Sequence, residues 1–283
     1  MIKLIALDLD GTVVSDGLTI SDKLQRTLNY LNRETDIRVV IATGRMFPST
    51  INFARTLGCD GPLICYQGGM IRDLGAHGVP AGADAHAYPV LYHQPIDFDV
   101  ARDIARLVQD NGFHTNFYIN DVLHTTHFNP ESEYYAKITG VTPIHSPVPE
   151  AILDAPPTKI MIIDEGCDDI IDQIKASHGQ HVSLCKSRHN FCEIVHAEVS
   201  KWNALAQLMA DWHLPAEAVM AVGDQENDLS MIRAAGLGVA MGNAPDHVKA
   251  EADFVTSDIQ SEGVIAAIEQ HVFGGTLPAG AVA

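Results

Sequence analysis

Apolar residues fall in nearly continuous runs at the two ends of the chain and in a more mixed pattern between them. Ile2–Leu7, Ile37–Ala42 and Leu63–Tyr66 are short runs of this kind, each the length of a strand. Between the first two, Leu24, Leu28 and Leu31 share one helical face behind a Ser21 cap. Ser49–Leu57 predicts a second helix, stopped by Gly58. Strands that are apolar throughout are covered on both faces, which predicts a parallel sheet carrying these runs with helices on either side.

From about residue 84 the pattern changes. Asp99–Asp110 reads as a helix with Val100, Ile104, Leu107 and Val108 inward. Phe113–Ile119 and Val122–Thr126 flank Asn120-Asp121 as a hairpin. A proline-punctuated stretch, Ser146 to Pro157, leads to a strand at Lys159–Ile163 and a helix at Asp168–Ala176. Paired strands follow at His181–Lys186 and Phe191–His196. Strand–helix alternation then returns: a helix from Ser200 to Leu214, a strand at Ala218–Val222, a helix at Asp228–Ala235, a strand at Gly238–Met241 and a last helix at Gly263–Phe273. The pattern predicts an α/β protein: a Rossmann-like, doubly wound parallel-sheet core in two segments, 1–83 and 190–283, with an α+β cap inserted at 84–189.

Composition narrows the functional classes. The chain has 283 residues, 46% of them hydrophobic, and a formal charge of −18. Such a surface repels phosphodiester backbones and anionic lipid, so neither nucleic acid nor a membrane is an expected partner. A phosphorylated ligand would need local cations to collect it. The five cysteines are odd in number, scattered and without a CxxC pair, which predicts reduced thiols in a cytoplasmic protein. The N-terminal apolar run meets Asp8 too soon to be a signal peptide, and no window reaches the ~18 apolar residues of a membrane span.

Four signals carry chemistry, each at a strand end or helix start. Asp8-Leu9-Asp10-Gly11-Thr12 closes the first strand and delivers two carboxylates to the sheet edge where α/β folds bind ligands. Ala42-Thr43-Gly44-Arg45 follows the second strand; a hydroxyl and backbone N–H groups there can donate to one anion. Ser200-Lys201 opens a helix, adding a point charge to an N-terminus that favours anions. In Gly223-Asp224-Gln225-Glu226-Asn227-Asp228 the two aspartates are four apart, so a helical turn brings both to one side. Asp8, Asp10, Asp224 and Asp228 in one pocket require a cation, and an all-oxygen donor set suits Mg²⁺ better than zinc. Lys201 and Thr43 would take phosphate oxygens. Positioning and charge neutralisation are what phosphoryl transfer needs.

Together these segments, DLDGT, IATGR, VSKWNAL and VGDQENDLSM, resemble the four motifs of the haloacid dehalogenase superfamily, and the run AVGDQENDLSMIRAAGLGVAMGNAPDHVKAEADFVT is similar to its Cof-type (type IIB) phosphatase branch, whose C2 cap is inserted at the same place. The resemblance implies a Mg²⁺-dependent phosphatase of small phosphorylated metabolites, sugar phosphates first, then nucleotide-like or cofactor phosphates. It implies that Asp8 is the nucleophile and Asp10 the acid and base, with the Asp10 carbonyl also on the metal. Asp8 and Asp224 would ligate the ion, and Asp228 would ligate or orient through water. Thr43, Lys201, Asn227 and the backbone N–H groups of Leu9 and Gly44 would hold the phosphoryl group. Trp202 and Gln67 stand where the family commonly has Gly and Asn, and both bear on the site entrance. A sugar phosphomutase on the same scaffold and a non-catalytic phosphoacceptor or binding module are the competing readings. A monomer or small homo-oligomer is expected.

The remaining candidates are weaker. Arg45 suits either a substrate contact or a pair with an acidic core residue. Arg188 and Lys159 lie near the expected cap–core junction, where they could meet an anionic substrate. The cap histidines His86, His93, His114, His124, His127 and His145 lack a tight ligand spacing and read as surface or structural. Trp202 and Trp212 read as core.

Overall fold

The computed structural model describes residues 1–15, 18–80, 82–147, 153–188 and 190–282. In chain order the first part holds β1 (Leu4–Leu7), α1 (Asp22–Glu34), β2 (Arg38–Ile41), α2 (Phe47–Thr56), β3 (Pro62–Cys65), β4 (Met70–Asp73) and β5 (Val90–His93). The middle holds α3 (Phe98–Asp110), β6 (Thr115–Ile119), β7 (Val122–Thr125), α4 (Pro130–Thr139), β8 (Ile144–His145), β9 (Lys159–Ile163), α5 (Cys167–His178), β10 (Val182–Arg188) and β11 (Phe191–His196). The last part holds α6 (Lys201–Trp212), β12 (Val219–Gly223), α7 (Leu229–Ala234), β13 (Leu237–Ala240), α8 (Asp246–Lys249), β14 (Phe254–Val255), α9 (Gly263–His271) and α10 (Ala279–Val282).

Five strands form the core sheet in the order β14-β13-β12-β1-β2, all parallel. Alternate residues of β1 show why its sequence is apolar throughout. Ile5 and Leu7 pack with Leu24, Leu28 and Leu31 of α1 and with Val264 and Ile268 of α9, whereas Leu4 and Ala6 pack with Leu205 and Leu208 of α6. Both faces are therefore covered, as a parallel sheet requires. Trp202 lies partly buried against the second of these clusters, on the helix rather than at the site entrance.

One strand departs from expectation. Leu63–Cys65 is fully buried, but β3 meets the core sheet through a single parallel bridge, Ala42 to Ile64. Its ladder is antiparallel with β4, and β4 in turn pairs with β5. The reversal is made by Tyr66, Gln67 and Gly68, all at positive φ. A continuous apolar run reports burial on both faces, and here an antiparallel partner supplied part of it.

The inserted sheet has the order β10-β11-β9-β6-β7-β8. It includes Phe191–His196, which lies past the expected boundary at 189, because β11 hydrogen-bonds to β9 and β10 rather than to the core. Val90–His93, inside the expected cap range, pairs instead with β4. The two faces of the inserted sheet differ. Phe117, Ile119, Ile160, Ile162, Cys192 and Ile194 pack under α3 and α5. The opposite face turns Tyr118, Met161, Ile163 and Phe191 toward the cluster of the core. Lys159 and Glu193 share that second face by the period of two along a strand.

A buried ion pair ties the two parts together. Arg72 of β4 donates from Nε to Asp121 at 2.7 Å and from Nη1 to the Tyr88 carbonyl at 2.6 Å. The Tyr66 hydroxyl donates to the other Asp121 oxygen at 2.7 Å. Asp121 is the second residue of the expected Asn120-Asp121 turn, so a hairpin tip serves as the docking point. Tyr66→Phe removes one bond to a buried charge while leaving the ring in place. We expect the unfolding free energy to fall by about 1.5–3 kcal/mol, read from the midpoint of urea unfolding at unchanged slope.

Candidate active site

The site forms where β1, β2 and β12 end, at the carboxyl edge of the core sheet. After Leu7 the chain folds into a tight loop: the Val13 and Val14 N–H groups both donate to the Leu9 carbonyl, at 2.9 and 2.7 Å. Leu9 itself is fully buried, which leaves Asp8 and Asp10 on the cavity side of the loop. Gly11 has a φ of +86°, and a Cβ on it would come within 2.3 Å of an Asp224 oxygen. The loop therefore closes onto the acidic segment only because residue 11 has no side chain.

Asp8, Asp224 and Asp228 are all buried, and each offers a carboxylate oxygen within 4.8 Å of the others. Lys201, fully buried at the start of α6, donates to Asp8 and, at 2.6 Å, to Asp228. Its helix is set by Ser200, whose side chain accepts from the Asn203 N–H at 3.1 Å. Asp228 is held further by the N–H groups of Asp224 and Gln225, at 2.9 and 3.0 Å on its other oxygen. Asp224 accepts from the Thr12 hydroxyl at 3.0 Å and the Gln225 amide at 3.0 Å.

The electrostatics follow from this crowding. Burial, then the nearby Asp228 carboxylate, pushes the Asp8 pKa well above the usual carboxylate range; Lys201 opposes the shift without cancelling it. Burial and Asp228 likewise raise Asp224 to about 6. Burial alone would lower the Lys201 pKa, but Asp228 and Asp8 outweigh it and keep the ammonium charged. Three carboxylates around one ammonium leave excess negative charge, and their oxygens form a hard donor set. The residues therefore fit a divalent cation bound through oxygen.

The other expected site residues are distributed around this cluster. Asp10 is about half exposed and meets Arg45 through two bonds, 2.7 Å to Nε and 2.6 Å to Nη2. Of the two readings of Arg45, the acidic partner is the one observed. Thr43 is buried; its hydroxyl accepts from the Arg45 N–H at 3.2 Å and its carbonyl from the Gln67 N–H at 3.0 Å. The Gly44 carbonyl accepts from Lys159 at 2.9 Å. Asn227 donates to the Gln67 side chain at 2.8 Å. Arg188 ends β10, and its side chain lies outside the described residues.

Lys159, expected near the cap–core junction, lines the cavity. It is buried, paired with Glu193 at 3.0 Å, and its ammonium lies 4.7 Å from the Tyr118 ring centroid. Glu193 was missed in the sequence, although a lone acid inside the apolar run Phe191–Val195 is a signal that it faces something specific. Helix α4 was missed as well. Its N-terminal cap is legible in Asn129-Pro130-Glu131-Ser132, and it brings Tyr134 and Tyr135 to the cavity. That cavity, about 500 Å³, spans both sheets from Asp8 and Asp224 to Lys159 and Phe191. The metal-capable group contains no histidine among the described residues.

The family model of the haloacid dehalogenase-like hydrolases matches residues 5–268. The chain belongs to that family. Within it the chain lies in the Cof-type branch, and relatives that match it end to end are named as phosphatases. It is 30% identical to the 5-amino-6-(5-phospho-D-ribitylamino)uracil phosphatase YcsE of Bacillus subtilis, over 96% of each chain. It is 28% identical to the pyridoxal phosphate phosphatase YbhA of Escherichia coli, over 95% of this chain and 98% of that one. The crystal structure of TM0651 from Thermotoga maritima superposes with a TM-score of 0.82 at 32% identity, covering 95% of this chain and 97% of the other. The haloacid dehalogenase-like chain is accordingly an enzyme of the phosphomonoesterase type. No helix among its described residues is long and apolar enough to cross a membrane.

Proposed function

We propose that this phosphatase hydrolyses the monoester of a small soluble metabolite, a sugar phosphate first among candidates, through a phosphoryl group carried on Asp8 and with Mg²⁺ as cofactor. The observation that carries the reading is the buried set Asp8, Asp224 and Asp228 gathered around Lys201, with Asp8 and Asp224 lining the cavity. A carboxylate that is to attack phosphorus must be ionised, and the Lys201 ammonium favours that form of Asp8. An Asp8 oxygen forms the bond to phosphorus as the bond to the leaving oxygen breaks. Asp10, two residues on, gives a proton to that leaving oxygen once it is released from Arg45, which here occupies both of its oxygens. It then takes one from the water that attacks the acyl-phosphate, which returns Asp8 and releases inorganic phosphate.

Asp8 and Asp224, with the Asp10 carbonyl and Asp228 behind them, would hold the cation. Its positive charge offsets the repulsion between these carboxylates and a phosphate oxygen. Lys201, Thr43, Asn227 and the Leu9 and Gly44 N–H groups would hold the remaining phosphate oxygens. The cavity volume suits a small metabolite. The named relatives act on a ribitylamino-pyrimidine phosphate and on pyridoxal phosphate, so ring-bearing monoesters are the next class to try.

The test is release of inorganic phosphate from p-nitrophenyl phosphate and from a panel of sugar and cofactor monoesters. Activity is expected with Mg²⁺ and none after chelation; an isomerised sugar phosphate in place of free phosphate would favour the mutase. An independent readout is thermal. Mg²⁺ at about 100 times its Kd adds about 2.7 kcal/mol to the folded state, which raises Tm by several degrees. In Asp224→Asn this rise should vanish. A wild type whose Tm ignores Mg²⁺ would remove the metal from the proposal.

A further inference from the structure

We infer that Gln67 is a positioning residue: it fixes which way the Asn227 amide points in the phosphate site, and it ties that orientation to the seating of the inserted sheet. The inference rests on Asn227 being a phosphate ligand. It follows from a chain of hydrogen bonds whose direction is forced. Lys159 carries three donors and no acceptor. It donates to the Glu193 carboxylate at 3.0 Å and to the Gly44 carbonyl at 2.9 Å. Glu193, paired with an ammonium, is an acceptor only, so the group facing it must be the Gln67 amide nitrogen, at 3.2 Å. The Gln67 oxygen then points the other way and can only accept. Asn227 must therefore offer its nitrogen, which it does at 2.8 Å. A flipped Asn227 would set two amide oxygens against each other.

The consequence sits in the site. One Nδ2 hydrogen of Asn227 is used by Gln67 and the second is left for a ligand oxygen. Its Oδ1 is buried with no hydrogen-bond partner among the described residues, so nothing on that side holds the amide. Gln67 is itself clamped. Its φ is +61°, its N–H donates to the Thr43 carbonyl at 3.0 Å, and its amide nitrogen lies 2.4 Å from where a Cβ on Gly44 would be. Gly44 makes the room that Gln67 occupies. Lys159 and Glu193 belong to β9 and β11 of the inserted sheet, whereas Gln67, Gly44 and Asn227 belong to core loops. Buried charges from the cap thus set the polarity of an amide beside the phosphate. Asn, common at this position in the family, is one methylene shorter and would give up one of the two contacts.

Calorimetric binding of orthophosphate in Mg²⁺ tests this on the full chain, with wild type, Gln67→Leu, Asn227→Ala and the double variant. Gln67→Leu is expected to weaken orthophosphate about tenfold, the worth of one net hydrogen bond. The double variant should bind within about twofold of Asn227→Ala alone, because Gln67 acts through Asn227. The same non-additive pattern should appear in kcat/KM for p-nitrophenyl phosphate. If Gln67→Leu does not fold, Gln67→Asn replaces it with the same expected loss. Unchanged affinity in the Gln67 variant, or a double variant showing the product of both losses, overturns the inference alone. A wild type that binds no orthophosphate overturns the phosphate-site reading and the inference with it.

Discussion

Asp8→Asn should lower phosphate release by a factor on the order of 10⁴ or more while leaving the protein folded. The amide keeps the shape of the carboxylate and its contact with Lys201, so the loop after β1 has no reason to move. What it loses is the oxygen that bonds to phosphorus. Stability should hold or rise. Burial and Asp228 push the Asp8 pKa well above its usual range, so folding works against its charged form. A neutral amide removes that repulsion, and Lys201 retains Asp228 as its partner. Turnover of p-nitrophenyl phosphate and a thermal melt on the same sample separate the two effects. A folded variant with wild-type turnover would take Asp8 out of the mechanism. One that loses both activity and fold would leave Asp8 a structural residue.

Lys201→Met should be damaging in both respects. Met nearly matches the length of Lys and fills its space, so the loss is one of charge. Two buried carboxylates, Asp8 and Asp228, then face each other without their cation. Breaking a buried pair by removing one partner is expected to lower stability by about 3–5 kcal/mol. Phosphate release should fall on the order of 10²–10³-fold, as when a preorganised donor to the reacting group is removed. The pH dependence has a definite sign. Asp8 is already raised in the folded protein, and without Lys201 it rises further. A carboxyl whose folded pKa lies above its unfolded value costs most stability when both states are ionised and less as pH falls. Stability therefore recovers as pH falls from neutral toward the usual carboxylate range. Urea unfolding at pH 7 and pH 5 measures this. A deficit that is the same at both values would mean that the loss is one of packing.

Much of this was legible in the chain because the chemistry lies at strand ends. An apolar run that stops at Asp8-x-Asp10, or at Gly223-Asp224, announces both the strand and the edge at which its acids emerge. Helix caps such as Ser200 are equally local. The third apolar run, Leu63–Tyr66, misled for a physical reason: burial on both faces does not specify which strand provides the hydrogen bonds. The inserted module was legible in its elements but not in its limits: Phe191–His196 reads as the partner of the strand before it, yet only the ladders with β9 and β10 show that it belongs to the inserted sheet and not to the core.

The site divides in the same way. Local sequence by itself determined that Asp8, Asp10, Thr43, Lys201 and Asp224 would stand at loop and helix starts along one sheet edge, because strand length and capping act over a few residues. Only the tertiary structure decided their partners: Arg45 on Asp10, Lys201 between Asp8 and Asp228, Asp121 at a hairpin tip under Arg72, and Glu193 with Lys159 above Gln67. Those pairings join residues up to 193 positions apart. No local pattern encodes them, since a buried charge shows its purpose only when folding has removed the water around it and a counter-charge has taken the water's place.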